Sequence, residues 1–219
     1  VGNNAVGVTG VNWTVSIMAC KFLDSQGSGS TSGAIDCFAY IDTMYDAGHT
    51  NIVASNNSWG GGGFSQALKD AIDSNRERGI LTIFAAGNSG TDNDLNPSYP
   101  SNLFLPNIIA VAATDRNDGI AGFSQFGSTS VHIGAPGVAI LSTTPNDTYQ
   151  SFNGTSMAAP HVAGVAALMR AQNPSWDWLD IKNRILAGGD DTSAMSDKTV
   201  TGKRLNAFGS LTCSDSVVN

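Results

Sequence analysis

The sequence predicts an α/β fold, a three-layer sandwich in which helices cover both faces of a mainly parallel, doubly wound sheet. Three observations predict it. Strand-like and helix-like segments alternate along the chain, two of the strand segments are apolar at nearly every position, and the helical segments are amphipathic. A strand buried on both faces reads as a continuous apolar run, whereas a sheet with one wet face alternates. With 219 residues, 41% of them hydrophobic and 13% charged, the chain suits one domain over residues 1–219. That composition excludes disorder, because so apolar a chain can bury a core.

Each element has its own signal. Residues 15–20 form a short β-branched, apolar run, bounded downstream by Gly27-Ser28-Gly29, and predict the first strand. From about Ser32, Ile35, Phe38, Ile41 and Tyr45 recur every three or four residues, a helix stopped at Gly48. A second strand begins over residues 52–54 and runs into Asn57-Ser58-Trp59 and the glycines 60–63. Ser65 is an N-cap candidate for a helix with Leu68, Ala71 and Ile72 on one face, ended by Gly79. Residues 80–86 and 108–113 are the two continuous apolar strands. Two further helices are predicted from Ser156 to about Arg170 and from Trp178 to about Leu186.

Charge narrows the function classes. Eleven Lys and Arg against 18 Asp and Glu give a net charge of −7, with no cluster of basic residues. Nucleic acid and anionic membrane are therefore not expected partners. No apolar run is long enough to span a bilayer, and no secretory leader is recognisable. Acidity, low Lys content and loops rich in Asn, Gly and Ser favour an exported, extracellular protein. Cys20, Cys37 and Cys213 allow one disulfide with a spare thiol, or three buried thiols.

In open α/β sheets the ligand site lies beyond the carboxyl ends of the strands. Three unusual loops should open there: 57–63, Gly87-Asn88-Ser89, and the segment ahead of Ser156. The last reads Asn153-Gly154-Thr155-Ser156-Met157-Ala158-Ala159-Pro160-His161-Val162-Ala163-Gly164. Gly154 permits a close backbone approach, and Pro160 is expected in the first helical turn, where its missing N–H costs little. Ser156 then sits at a helix N-terminus, where free N–H groups and the dipole favour developing negative charge. A plain N-cap serine is the ordinary alternative.

This stretch closely resembles the nucleophile motif of the subtilisin-like serine proteases, and the resemblance extends over nearly the whole chain. Ala85-Ala86-Gly87-Asn88 resembles the family's oxyanion-hole segment, and Ala135-Pro136-Gly137 has its counterpart there. Asn57-Ser58-Trp59-Gly60-Gly61 is similar to the strand end lining the primary specificity pocket, and Gly27-Ser28-Gly29 to the edge that pairs with substrate. The resemblance implies a secreted hydrolase, a serine endopeptidase acting on peptides or proteins. Ser156 would be the nucleophile, with Asn88 in the oxyanion hole. Gly27, Ser28, Gly29, Ser58, Trp59, Gly60, Ala86 and Gly87 would meet substrate.

The family's catalytic His and Asp motifs stand upstream of everything matched, and neither occurs in these residues. His161 cannot substitute: five residues past Ser156, at ~100° per residue, it points ~140° away. His49 and His132 are expected to be structural. The chain therefore resembles a family member without its N-terminal part, for which an N-terminal fragment carrying Asp and His would be the partner. The alternative is a catalytically inert fragment or a non-catalytic peptide-binding relative. By the same resemblance, residues 2–8 match a calcium loop, with the Asn4 side chain and the carbonyls of Gly2, Val6 and Val8 as ligands, so a structural calcium ion is expected there. The Asp92-Asn93-Asp94 triplet reads as a solvated turn.

Overall fold

Alternation along β2 (Leu81–Ala85) explains why the sheet is covered twice. Leu81, Ile83 and Ala85 face one hydrophobic cluster, while Phe84 and the preceding Ile80 face another. The structure is a computed structural model describing residues 2–49 and 51–213. On the first face lie α3 (Thr155–Gln172) and α4 (Trp178–Ala187), which bury Val162, Val165, Met169, Ile181 and Ile185. On the second lie α1 (Thr31–Asp46) and α2 (Gln66–Glu77), which bury Phe38, Ile41, Leu68 and Ile72. The sheet's middle layer is thus dry on both sides, and the three-layer α/β architecture follows.

The main sheet has the order β1-β2-β3-β4-β8-β7. Its strands are β1 (Ala54–Asn57), β2, β3 (Ile108–Thr114), β4 (Ile133–Pro136), β8 (Lys203–Arg204) and β7 (Asp190–Asp191). All neighbours are parallel except β7 with β8. The register sets Ala54 against Leu81, Thr82 against Ile108 and Val111 against Ile133. A separate hairpin joins β5 (Ile140–Thr144) to β6 (Thr148–Phe152), with Asn146 and Asp147 both at positive φ. The loop between the paired Thr144 and Thr148 is three residues, Pro145-Asn146-Asp147, and Asx residues tolerate its left-handed positions. A short α5 (Ala207–Thr212) follows β8.

Local chemistry sets the boundaries. Ser30 Oγ accepts the Gly33 N–H to start α1, and Ser65 Oγ accepts the Leu68 N–H to start α2. Asp177 and Asp180 form a reciprocal capping box on α4. Two expectations are corrected. Residues 15–20 lie in no strand: residues 15–23 have no ladder partner among the described residues, and a segment becomes a strand only when a neighbour takes its backbone groups. Pro160 sits beyond the first turn of α3, so the N–H it lacks is one that Ser156 C=O would otherwise accept in the i→i−4 ladder.

The cysteine alternatives resolve. Cys20 and Cys37 form a disulfide that ties the 15–23 segment to α1, and Cys213 is free.

His132 opens β4 from inside the fold. Its Nδ1 accepts the Ala110 N–H at 3.0 Å, which requires the neutral ring. Burial, seconded by the nearby Lys182 ammonium, pushes its pKa from 6.5 down to about 3. The unfolded chain therefore takes up a proton below pH 6.5 that the folded chain refuses, and stability is lost as pH falls from there towards 3. His132→Gln, which keeps an acceptor but cannot titrate, is expected to flatten the decline in urea midpoint between pH 7 and pH 5. An unchanged decline would show that other groups dominate.

Candidate active site

Four backbone segments meet at the carboxyl edge of the sheet. Ser58 follows β1, Gly87 and Asn88 follow β2, Gly137 follows β4, and Gly154 precedes α3. Gly137 allows a close approach: a Cβ there would stand 2.5 Å from Ala113 Cβ and 2.8 Å from the Gly154 carbonyl. The Gly154 N–H donates to Gly137 O at 2.8 Å, which anchors the start of α3.

Ser156 lies in the first turn of α3, and the N-cap is Gly154, with no side-chain cap. The ordinary N-cap role is therefore not the one Ser156 plays. Its Oγ instead donates to Ser58 O at 3.2 Å, and Ser58 Oγ donates to Ser156 O at 2.8 Å. Pro160 explains the second bond, because it leaves the Ser156 carbonyl without its helical donor and Ser58 supplies one. Ser156 is half-buried.

Asn88 is exposed but held at one end. Its Oδ1 accepts from the Thr155 N–H at 2.9 Å and from Thr155 Oγ1 at 3.0 Å. A backbone N–H can only donate, so the amide orientation follows from the bond itself. The Nδ2 end stands 3.7 Å from where a Cβ on Gly154 would be, facing the stretch that carries Ser156. Thr155 is fully buried, and its Oγ1 also accepts the Gly87 N–H at 3.1 Å. Sequence reading missed Thr155; the signal was its place between Gly154 and Ser156. Gly87 sits at φ +115, with Gln125 Oε1 against the position a side chain would occupy. Ala86 is fully buried, with its N–H on Val111 O and its carbonyl on Asn93 Nδ2. Its role here is to position Gly87.

Beside Ser58, Trp59 is fixed from two sides. Its Nε1 donates to Asn57 Oδ1 at 3.1 Å, and its ring meets Phe22 and Phe84 edge-on at 5.0 and 5.8 Å. The Gly61 N–H donates to Tyr99 O at 3.0 Å, and Gly61 and Gly62 both adopt positive φ. Tyr99, absent from the sequence reading, therefore borders the glycine run. Gly27, Ser28 and Gly29 stand apart in an exposed turn closed on Asp24, whose Oδ1 accepts from Gln26 N at 2.8 Å and Ser28 N at 3.0 Å. Those bonds hold the Asp24 carboxyl below its usual range.

No histidine among the described residues hydrogen-bonds to Ser156. His161 Nδ1 lies 2.8 Å from Met157 O, His132 is committed to Ala110, and His49 is exposed beyond α1. At residues 2–8, Gly2 O accepts the Asn4 N–H and Asn4 Oδ1 accepts the Val6 N–H. These neutral oxygens fit part of a calcium shell, which takes six to eight donors, so the loop alone does not complete one. Asp94, by contrast, is satisfied by Ser128, Thr129 and Ser130 and serves as a turn anchor.

A family model described as "Subtilase family" matches residues 1–209. M-protease of Shouchella clausii (strain KSM-K16) is 43% identical over 183 residues, covering 84% of this chain and 45% of that protein. Subtilisin Savinase of Lederbergia lenta is 42% identical, covering 84% of this chain and 64% of that protein. A crystal structure of a cold adapted subtilisin-like serine proteinase superposes with a TM-score of 0.75 at 31% identity, covering 85% of this chain and 65% of that one. The chain thus spans between about half and two thirds of the relatives it matches.

The Ser58–Pro160 pairing is testable by a double-mutant cycle. Ser58→Ala leaves the Ser156 carbonyl without its donor and is expected to cost about 1 kcal/mol in urea denaturation. In a Pro160→Ala background, where residue 160 can again donate, the same change should cost measurably less. Equal costs in both backgrounds would mean the two residues do not share that carbonyl.

Proposed function

The chain belongs to the subtilase family, and on that premise we propose that it is the nucleophile-bearing part of an exported serine endopeptidase. The observation that carries this reading is the locked amide of Asn88. Its acceptor end is bound by Thr155, the residue directly before Ser156, which leaves its donor end free to face a developing oxyanion. In the reaction Ser156 Oγ would bond to the scissile carbonyl carbon while a base takes its proton. Asn88 Nδ2 and the Ser156 N–H would hold the oxyanion. Collapse would expel the amine, which recovers the proton, and water would then release the acyl group by the reverse sequence.

Ser156 Oγ donates to a carbonyl, which cannot act as a base, so this reading still needs a base and its orienting group. We assign them to a further segment carrying Asp and His. Substrate would run as an added strand along Ser58 and Gly60, with Gly29 and its neighbours as the opposite edge. Trp59 and the open glycine run favour bulky apolar side chains in the primary pocket. Extracellular localisation is supported by the Cys20–Cys37 disulfide, since such bonds persist in oxidising compartments. A calcium ion would be held at residues 2–8 once further donors complete the shell. The second reading, an inert or peptide-binding relative, rests on that same Ser156–Ser58 bond.

A fluorophosphonate separates the two readings. Native, unfragmented material should be labelled stoichiometrically at Ser156, and Ser156→Ala should abolish labelling. Asn88→Leu should lower kcat by about 10²–10³, the loss established for removing such a donor from a subtilisin. Unlabelled native material would favour the inert reading.

A further inference from the structure

Behind the loop that carries Asn88 lies a pair of buried amide side chains with no part in the reaction as drawn. Asn93 is fully buried and Gln125 is buried beside it. An amide held in the interior costs free energy unless it is hydrogen-bonded, and here the bonds run in one order. Asn93 Nδ2 donates to Ala86 O at 3.0 Å, and Asn93 Oδ1 accepts from Gln125 Nε2 at 2.7 Å. Gln125 Nε2 also donates to Thr91 Oγ1 at 3.0 Å, and the Gln125 N–H donates to Gly87 O at 2.9 Å. Together the two residues hold the carbonyls of Ala86 and Gly87, directly ahead of Asn88. Neither amide is free to turn over. A backbone carbonyl only accepts, which puts Nδ2 on the Ala86 side of Asn93. The other end of Asn93 is then an acceptor, to which Gln125 must present its nitrogen.

We propose that Asn93 and Gln125 are positioning residues for the Asn88 donor, acting through the carbonyls of Ala86 and Gly87. The inference rests on the protease reading and names what holds its oxyanion donor in place. The N–H groups of Ala86 and Gly87 are bound to Val111 O and Thr155 Oγ1, so each backbone polar group of these two residues is paired. Thr155 orients the Asn88 side chain, while the amide pair orients the backbone from which that side chain springs. Gly87 lies at φ +115 and has no side chain to restrain it, so its place is set by those bonds. A preorganised donor must be held within about 0.5 Å of its productive position. Loosening the amide pair therefore weakens contact with a developing oxyanion and leaves the binding of the rest of a substrate alone.

Gln125→Glu tests this in the native protein, because its donor can be titrated away. Protonated, the introduced carboxyl donates to Asn93 Oδ1 and keeps the arrangement. Ionised, it only accepts, so Asn93 turns over and Ala86 O loses its donor. With a peptide amide substrate, kcat relative to the unchanged protein should fall roughly tenfold or more as pH rises through that titration, with KM within about twofold. Gln125→Met has no donor at any pH and should show the loss throughout. In an Asn88→Leu background either change should lower kcat by less than about twofold, because the donor it positions is gone. A ratio that does not change with pH, unchanged kcat in Gln125→Met, a loss carried by KM alone, or full additivity with Asn88→Leu would each overturn the inference and leave the protease reading standing. An unchanged protein that neither cleaves the substrate nor reacts with a fluorophosphonate would overturn that reading, and the inference with it.

Discussion

Pro160 leaves the Ser156 carbonyl short of a donor, and that vacancy ties the tip of α3 to the end of β1. Ser58 Oγ fills it at 2.8 Å, and Ser156 Oγ answers to the Ser58 carbonyl at 3.2 Å, a reciprocal pair across 98 residues of sequence. The Gly154–Gly137 and Asn88–Thr155 bonds bring the ends of β4 and β2 to the same point. Removing any one of these leaves a backbone group without its partner at the sheet edge, which is why the loops there are built from glycine and short polar side chains.

That arrangement prepares for negative charge without supplying a proton acceptor. The helix tip offers first-turn N–H groups, and Thr155 holds the Oδ1 end of Asn88, which leaves its amide nitrogen as a donor beside them. Ser156 itself rests on a carbonyl, and the three histidines of the sequence are engaged or placed elsewhere. Donor groups therefore surround Ser156, while no side-chain base among the described residues hydrogen-bonds to it.

Much of this was legible from residue order. Buried strands β2 and β3, the caps at Ser65 and Gly48, and the extents of α3 and α4 followed from apolar continuity and turn chemistry. The strand expected at residues 15–20 did not form, because a strand is a property of two segments and its composition speaks for one. The β5–β6 hairpin escaped notice although Asn146-Asp147 marks its turn, since its strands are polar and exposed. At the site, residue types were readable but couplings were not. The link of Pro160 to Ser58, and of Thr155 to Asn88, depends on contacts that sequence spacing cannot express.

The most direct measurement is a crystal structure of the native protein soaked with a peptide boronic acid. A covalent bond from boron to Ser156 Oγ is expected, with one boronate oxygen about 2.7–3.1 Å from both Asn88 Nδ2 and the Ser156 N–H. A boronate that ignores Ser156, or an adduct whose oxygens face solvent with Asn88 turned away, would refute the nucleophile assignment.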